Sequence, residues 1–184
     1  MATAGITLKR ADELLSQVEP ILSRLFARIE AVFPGAELHH IGSTAIPGSV
    51  TKGDIDILFR VAQSQFGPAS DLLQRHFQIK QSVNWTPHFA SFGDDDTYGI
   101  PVGIQLVAKD SESDFFLFQR DYLLAHPEAV EAYNRIKTAH AADGPDRYWK
   151  AKDEFFARII ALWSKSIAQP SNPSSDRPIA SDPP

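Results

Sequence analysis

HHIGSTAIPGSVTKGDIDILFRV, residues 39–61, is the stretch whose reading decides the fold. Its second part, Asp54 to Ala62, has the apolar and β-branched run of a strand. Side chains alternate faces along a strand, so Asp54 and Asp56 project to one side while Ile55 and Ile57 face the other. Two carboxylates about 7 Å apart on one strand repel each other unless a cation lies between them. A divalent metal meets that need, because Mg²⁺ prefers oxygen ligands and commonly joins one or two carboxylates to substrate phosphates. Upstream, Gly42 lets the backbone approach a ligand closely. Ser43 and Thr44 offer hydroxyls, and the N–H groups at the start of a short helix suit a phosphate. Strand, Gly-Ser, connector and acid pair together point to phosphoryl or nucleotidyl transfer chemistry.

Working outward, Ala11 to Phe33 has helical periodicity, with Leu14, Val18, Ile21, Leu25 and Ile29 on one apolar stripe. Pro20 would kink or split this helix, and Pro34-Gly35 would end it. Ala36 to Ile41 reads as a strand, and Gly42 to Gly53 as a loop or short helix. Gly67-Pro68 is expected to open a helix through about Phe77. Ile79 to Val83 and His88 to Phe92 are short strands, Gly93 to Asp96 a turn between strands, and Tyr98 to Ala108 a further core strand. Three helices follow, over Ser113 to Ala125, Pro127 to about Ala141, and Arg147 to Ser164. The expectation is one α+β domain, residues 1–166: a small mixed β-sheet flanked by helices, with a helical C-terminal part. Residues 167–184, rich in proline and serine, read as a disordered tail.

The 184 residues suffice for one domain with a real core. A net charge of -5 argues against a broad nucleic-acid-binding surface, though a local basic pocket remains compatible. With no cysteine, disulfides, thiolate zinc sites and thiol nucleophiles are excluded. The N-terminal residues lack the apolar core of a signal peptide, and no apolar run is long enough to span a bilayer. A cytoplasmic protein with no membrane association is expected.

The spacing of the Gly-Ser pair and the acid–hydrophobic–acid triplet resembles the signature of the DNA polymerase β-like nucleotidyltransferase superfamily. The wider pattern is similar to one branch, the GrpB family (UPF0157). It rests on HIGSTAIPG (His40 to Gly48), Lys52 before Asp54-Ile55-Asp56-Ile57, FQRDYLLAHPE (Phe118 to Glu128), Tyr133 with Lys137, and Tyr148, Lys152 and Phe155. The resemblance covers about residues 11–165. It implies a nucleotidyltransferase-like fold and pocket, and no settled reaction. A related domain occurs fused to dephospho-CoA kinase, which keeps a supporting or chaperone-like role with a protein partner in play.

One part of the superfamily pattern is absent. A third carboxylate normally stands on a neighbouring core strand, but the matching strand here presents Gly103 and Gln105. GrpB relatives look rich in histidine at about these positions, so the chain departs from its own family too. Asp94, Asp95, Asp96 or Asp110 are the acids that remain to substitute.

The candidate catalytic and metal-holding residues are thus Asp54 and Asp56, with Mg²⁺ the expected cofactor. The candidate phosphate or nucleotide ligands are Gly42, Ser43, Thr44, His40, Lys52, Arg120, Tyr148 and Lys152. Plainer roles stand beside these: a core histidine for His40, a loop lysine for Lys52, surface ion pairing for Arg120 and Lys152. The leading expectation is a protein that binds a nucleotide or other phosphorylated small molecule with Mg²⁺ and transfers a nucleotidyl group to a hydroxyl. A non-catalytic assembly module is the alternative, and a metal-dependent phosphohydrolase a third reading.

Overall fold

The structure is a computed structural model and describes residues 6–168. Among these residues, seven strands and five α-helices follow one another: β1 (Lys9–Arg10), α1 (Leu15–Val32), β2 (Glu37–Ile41), β3 (Val50–Thr51), β4 (Ile55–Val61), α2 (Gln63–His76), β5 (Gln78–Lys80), β6 (Phe89–Asp94), β7 (Val102–Ala108), α3 (Phe116–Ala125), α4 (Pro127–His140) and α5 (Pro145–Ala168). Five strands form a mixed sheet in the order β2-β4-β7-β6-β5, in which only β4 and β7 run parallel. β1 and β3 make a separate antiparallel pair. This is the expected α+β class.

The two faces of the sheet do different work. Ile55, Ile57, Phe59 and Val61 of β4 pack with Val102, Ile104 and Leu106 of β7 against the apolar stripes of α1 and α2. Leu25 and Ile29 of α1 and Leu73 of α2 are fully enclosed there. Truncating one of these side chains to alanine would cost about 2–5 kcal/mol. On the other face lie Asp56, Leu58, Gly103, Gln105 and Ser91, by strand alternation and register. That face is only partly covered, by α3 and the α4–α5 pair, which leaves a cleft over β7 and β6.

Several boundaries differ from expectation for identifiable reasons. A 3-10 turn over Ala11–Leu14 precedes α1, and Pro20 sits inside α1 without splitting it. Its position, near the N-terminus and on the exposed side, forfeits few backbone bonds. α2 starts at Gln63, before Gly67-Pro68, because Phe66 is buried and holds the first turn on the sheet. Gly93 and Asp94 belong to β6 rather than to the turn. A Cβ on Gly93 would meet the Val102 carbonyl at 2.6 Å, so the residue is there for close strand approach, not for bending. β5 stops at Lys80, where Gln81 takes a positive φ of 43° into a short 3-10 turn.

Asp54 lies just before β4, and the short 3-10 turn Ser43–Ala45 follows Gly42. α5 reaches Ala168, so the residues at 167 and 168 that were assigned to a tail are helical; the rest of that tail lies outside the described residues. Among the described residues, no helix is long and apolar enough to cross a membrane.

Candidate functional site

A cleft of about 780 Å³ opens on the partly covered face of the sheet. Its floor is built by register. Ile41 pairs with Asp56, Asp56 with Gly103, and Gly103 with Gly93, so two glycines in a row lie beside the acid on the β7–β6 side. A Cβ on Gly42 would lie 2.5 Å from Asp56 Oδ2, and one on Gly103 would lie 2.5 Å from Asp56 Oδ1. Gly42 also has φ 73°, a left-handed conformation that favours glycine. Both glycines are therefore needed to seat the carboxylate.

Asp54 and Asp56 line the cleft together with Gly42, Ser43, Lys52, Arg120, Tyr148 and Lys152. Lys52 Nζ is 3.0 Å from Asp54 Oδ2. Burial pushes the Asp56 carboxyl above the usual range, and the neighbouring Asp54 charge adds to this, against the opposing pull of Lys152 and Lys52. Burial lowers the pKa of Lys152, while Asp56 and Asp54 work the other way. Tyr148 is raised to about 12 by burial and by Asp54, so its phenol stays a hydrogen-bond donor.

Two candidates sit elsewhere. His40 stands in register with Ile57, on the α1–α2 side of the sheet, and its Nε2 is 3.0 Å from Thr44 Oγ1. Burial, then the Arg120 charge, lowers its pKa to about 4, so it is neutral. Thr44 is buried and donates to the Asp54 carbonyl oxygen at 3.3 Å. Neither lines the cleft; the pair fastens the Ser43–Ala45 turn to the start of β4 from behind. Arg120 does line it, with Nη1 donating to the His40 carbonyl oxygen at 3.2 Å and Nη2 2.7 Å from Asp121 Oδ1.

The acids considered as substitutes for a third carboxylate are dispersed. Asp94 faces the α1 side, where it accepts from Arg28 Nη1 at 2.7 Å. Asp95 lines the cleft but is paired with Lys80 at 2.5 Å. Asp110 lies past the opposite end of β7 and donates its N–H to Asp114. On the cleft face β7 presents Gly103 and Gln105, and Gln105 Nε2 is 3.6 Å from the position of a Gly103 Cβ. Among the described residues, no group of three or more His, Asp or Glu is placed to hold a metal. Two carboxylates open to a cleft nonetheless suit Mg²⁺, which completes its shell with water and ligand oxygens.

Sequence reading missed three contributors. Lys137 of α4 is fully buried, and its Nζ donates to Ser43 Oγ at 3.1 Å, to Ser49 Oγ at 2.8 Å and to the Val50 carbonyl oxygen. Burial and the nearby Lys152 lower its pKa to about 7. Tyr133, one turn earlier, lies under the same ammonium at 4.0 Å and stacks on Phe155. Trp149 lies at the cleft with both Lys52 and Lys152 over its ring. Tyr133 and Lys137 stood only among the residues of the family resemblance; their i, i+4 spacing puts them on one helix face, but nothing local tells that this face meets the Gly-Ser turn.

A UPF0157 protein of Vibrio cholerae is 33% identical over 152 residues, spanning 82% of this chain and 80% of that protein. A UPF0157 protein of Pseudomonas aeruginosa is 30% identical over 144 residues, and there the match spans 72% of this chain but 57% of the relative. The crystal structure of conserved protein GrpB from Enterococcus faecalis superposes with a TM-score of 0.67 at 19% identity, covering 89% of this chain and all of that one. A structure of the Cid1 poly(U) polymerase with MgGTP gives a TM-score of 0.49 at 14% identity, over 70% of this chain and 42% of that one. The family model described as GrpB protein matches residues 13–162, and the chain belongs to the GrpB family.

Proposed function

We propose that the cleft binds a nucleotide or another phosphorylated ligand together with Mg²⁺, and that its chemistry is transfer of a nucleotidyl group to a small-molecule or protein hydroxyl. The observation that carries this reading is the convergence in one cleft of Asp54 and Asp56, the Gly42-Ser43 turn, and two lysines. Asp54 and Asp56 would hold the metal, which when bound would neutralise charge on the phosphates. The Ser43 hydroxyl accepts from Lys137 and lines the cleft, where it would meet a phosphate oxygen. Lys52 and Lys152 would balance the remaining phosphate charge, and the aromatic wall of Phe115, Phe116 and Phe156 would limit water.

Titration calorimetry with Mg-ATP, Mg-GTP and Mg-CTP tests the site. The Asp54→Ala/Asp56→Ala protein should lose binding of any ligand that the wild type holds. Undiminished binding by the double variant would overturn the assignment.

One observation favours a second reading, a non-catalytic binding or assembly module. β7 presents Gly103 and Gln105 where the superfamily resemblance leads one to expect an acid, and an amide neither ligates with charge nor takes a proton from an incoming hydroxyl. This reading expects no transfer of label from any α-phosphate-labelled nucleotide to protein or metabolite. Labelling that disappears in Asp56→Ala would exclude it.

A further inference from the structure

Asp54 and Asp56 have counter-ions of their own. Lys52 Nζ lies 3.0 Å from Asp54 Oδ2, and both side chains keep about a third of their surface exposed, 30% and 28%. Lys152 of α5 lines the same cleft, with its charge favoured by both acids. The two ammonium groups meet on one aromatic ring: Lys52 Nζ is 4.7 Å and Lys152 Nζ 4.3 Å from the Trp149 centroid. The acid pair thus shares its cleft with two ammonium groups that sit on a common aromatic face.

A divalent cation entering this centre alone would have to push two like charges aside and leave them with no anion to meet. A cation that arrives on a polyphosphate brings phosphate oxygens to which the lysines can turn. Lysine suits such an exchange, because its four-carbon stem is flexible and its three donors rotate. Trp149 suits it as well, since the face of an indole attracts an ammonium over a broad range of positions. A divalent metal cancels the charge of a monophosphate, about −2, whereas a di- or triphosphate keeps negative charge for the two ammonium groups to meet.

We propose that Lys52 and Lys152, steadied by Trp149, are resident counter-ions that keep free divalent metal out of the Asp54–Asp56 pair and move onto the phosphates when a metal–polyphosphate complex enters. The proposal rests on the metal–phosphate reading of the cleft given above, and it narrows the ligand to a metal-complexed di- or triphosphate.

Mn²⁺, counted by electron paramagnetic resonance, is the probe. It would be titrated alone and with a non-hydrolysable triphosphate into the wild type, Lys52→Met, Lys152→Met and Lys52→Arg, each checked for folding by circular dichroism. The lysine-to-methionine proteins should bind free Mn²⁺ roughly three- to tenfold more tightly than the wild type. They should bind the Mn²⁺–triphosphate complex more weakly, and Lys52→Arg should restore the wild-type order. Lys52 stands in a partly exposed loop, so its variant carries the test even where Lys152→Met fails to fold. Free-Mn²⁺ affinity that is unchanged or reduced in Lys52→Met, with the complex still bound through Asp54 and Asp56, overturns this inference alone. Absence of binding in either form by every folded protein overturns it together with the reading on which it rests.

Discussion

Asp56 lies so close to Gly103 of the neighbouring strand that a Cβ there would stand 2.5 Å from its Oδ1. The two residues are direct register partners in the parallel β4–β7 pair. Gly42 closes the other side at the same distance from Oδ2. The second acid of the motif therefore sits in a slot made of backbone.

Filling that slot should move the carboxylate. Gly103→Ala is expected to weaken metal–nucleotide binding about tenfold and to cost about 1–3 kcal/mol of stability through overpacking. Gly42→Ala should cost more, since its φ of 73° adds about 1–2 kcal/mol of backbone strain. Urea denaturation and calorimetry on the two variants measure both effects.

The Asp56 carboxyl also predicts a pH dependence. Its folded-state pKa is raised, by burial first and by Asp54 second. A raised carboxyl binds its proton more tightly in the folded state than in the unfolded one, so its contribution to stability falls as pH rises from the unfolded value, near 4, through the folded one. Asp56→Asn should therefore be more stable than the wild type at neutral pH, by about 1–3 kcal/mol. It should lose metal-dependent binding. Thermal melts between pH 4 and 8 should converge for the two proteins at the acidic end.

Lys137 ties α4 to the connector that carries Ser43. Lys137→Met removes three donated hydrogen bonds and leaves the wholly buried Ser49 hydroxyl with only its bond to the Val50 carbonyl oxygen. A loss of about 1–3 kcal/mol is expected, with weaker phosphate-ligand binding because Ser43 is released. Denaturant unfolding measures the first and calorimetry the second.

Glu37 anchors the far end of the same sheet face. Burial opposes its ionisation, but Lys109, His39 and Arg60 outweigh burial and bring its pKa to about 2. A lowered carboxyl stabilises above its unfolded pKa, near 4.5, and that contribution is lost as pH falls through about 2. Because the side chain is 31% exposed, Glu37→Gln should cost only about 1 kcal/mol at pH 7. The difference from wild type should vanish in acid, as urea midpoints at pH 7 and pH 2 would reveal.

Much of the site was legible in residues 39–61, because each cue there is local. The acid–hydrophobic–acid spacing marked Asp54 and Asp56, which do line one cleft although β4 begins only at Ile55, and Pro47-Gly48 marked the turn. The same local cues mislead where a distant contact overrides them. Gly67-Pro68 looks like a helix start, yet the burial of Phe66 draws α2 back to Gln63. Gly93 looks like a turn, yet it is a strand position against the Val102 carbonyl. His40 shared a motif with the ligand candidates, but its register with Ile57 assigned it to the other face.

By itself the sequence determined the α+β class, the acid pair and its Gly-Ser partner, since alternation, helical period and turn chemistry act over a few residues. Only the tertiary structure decided what surrounds that pair. Lys137 reaches Ser43 across 94 positions of chain. Lys152 and Trp149 arrive on the last helix, and Gly103 holds Asp56 through strand pairing. Such contacts arise when separate elements bury their apolar faces together, and no short window of sequence carries the distance between them.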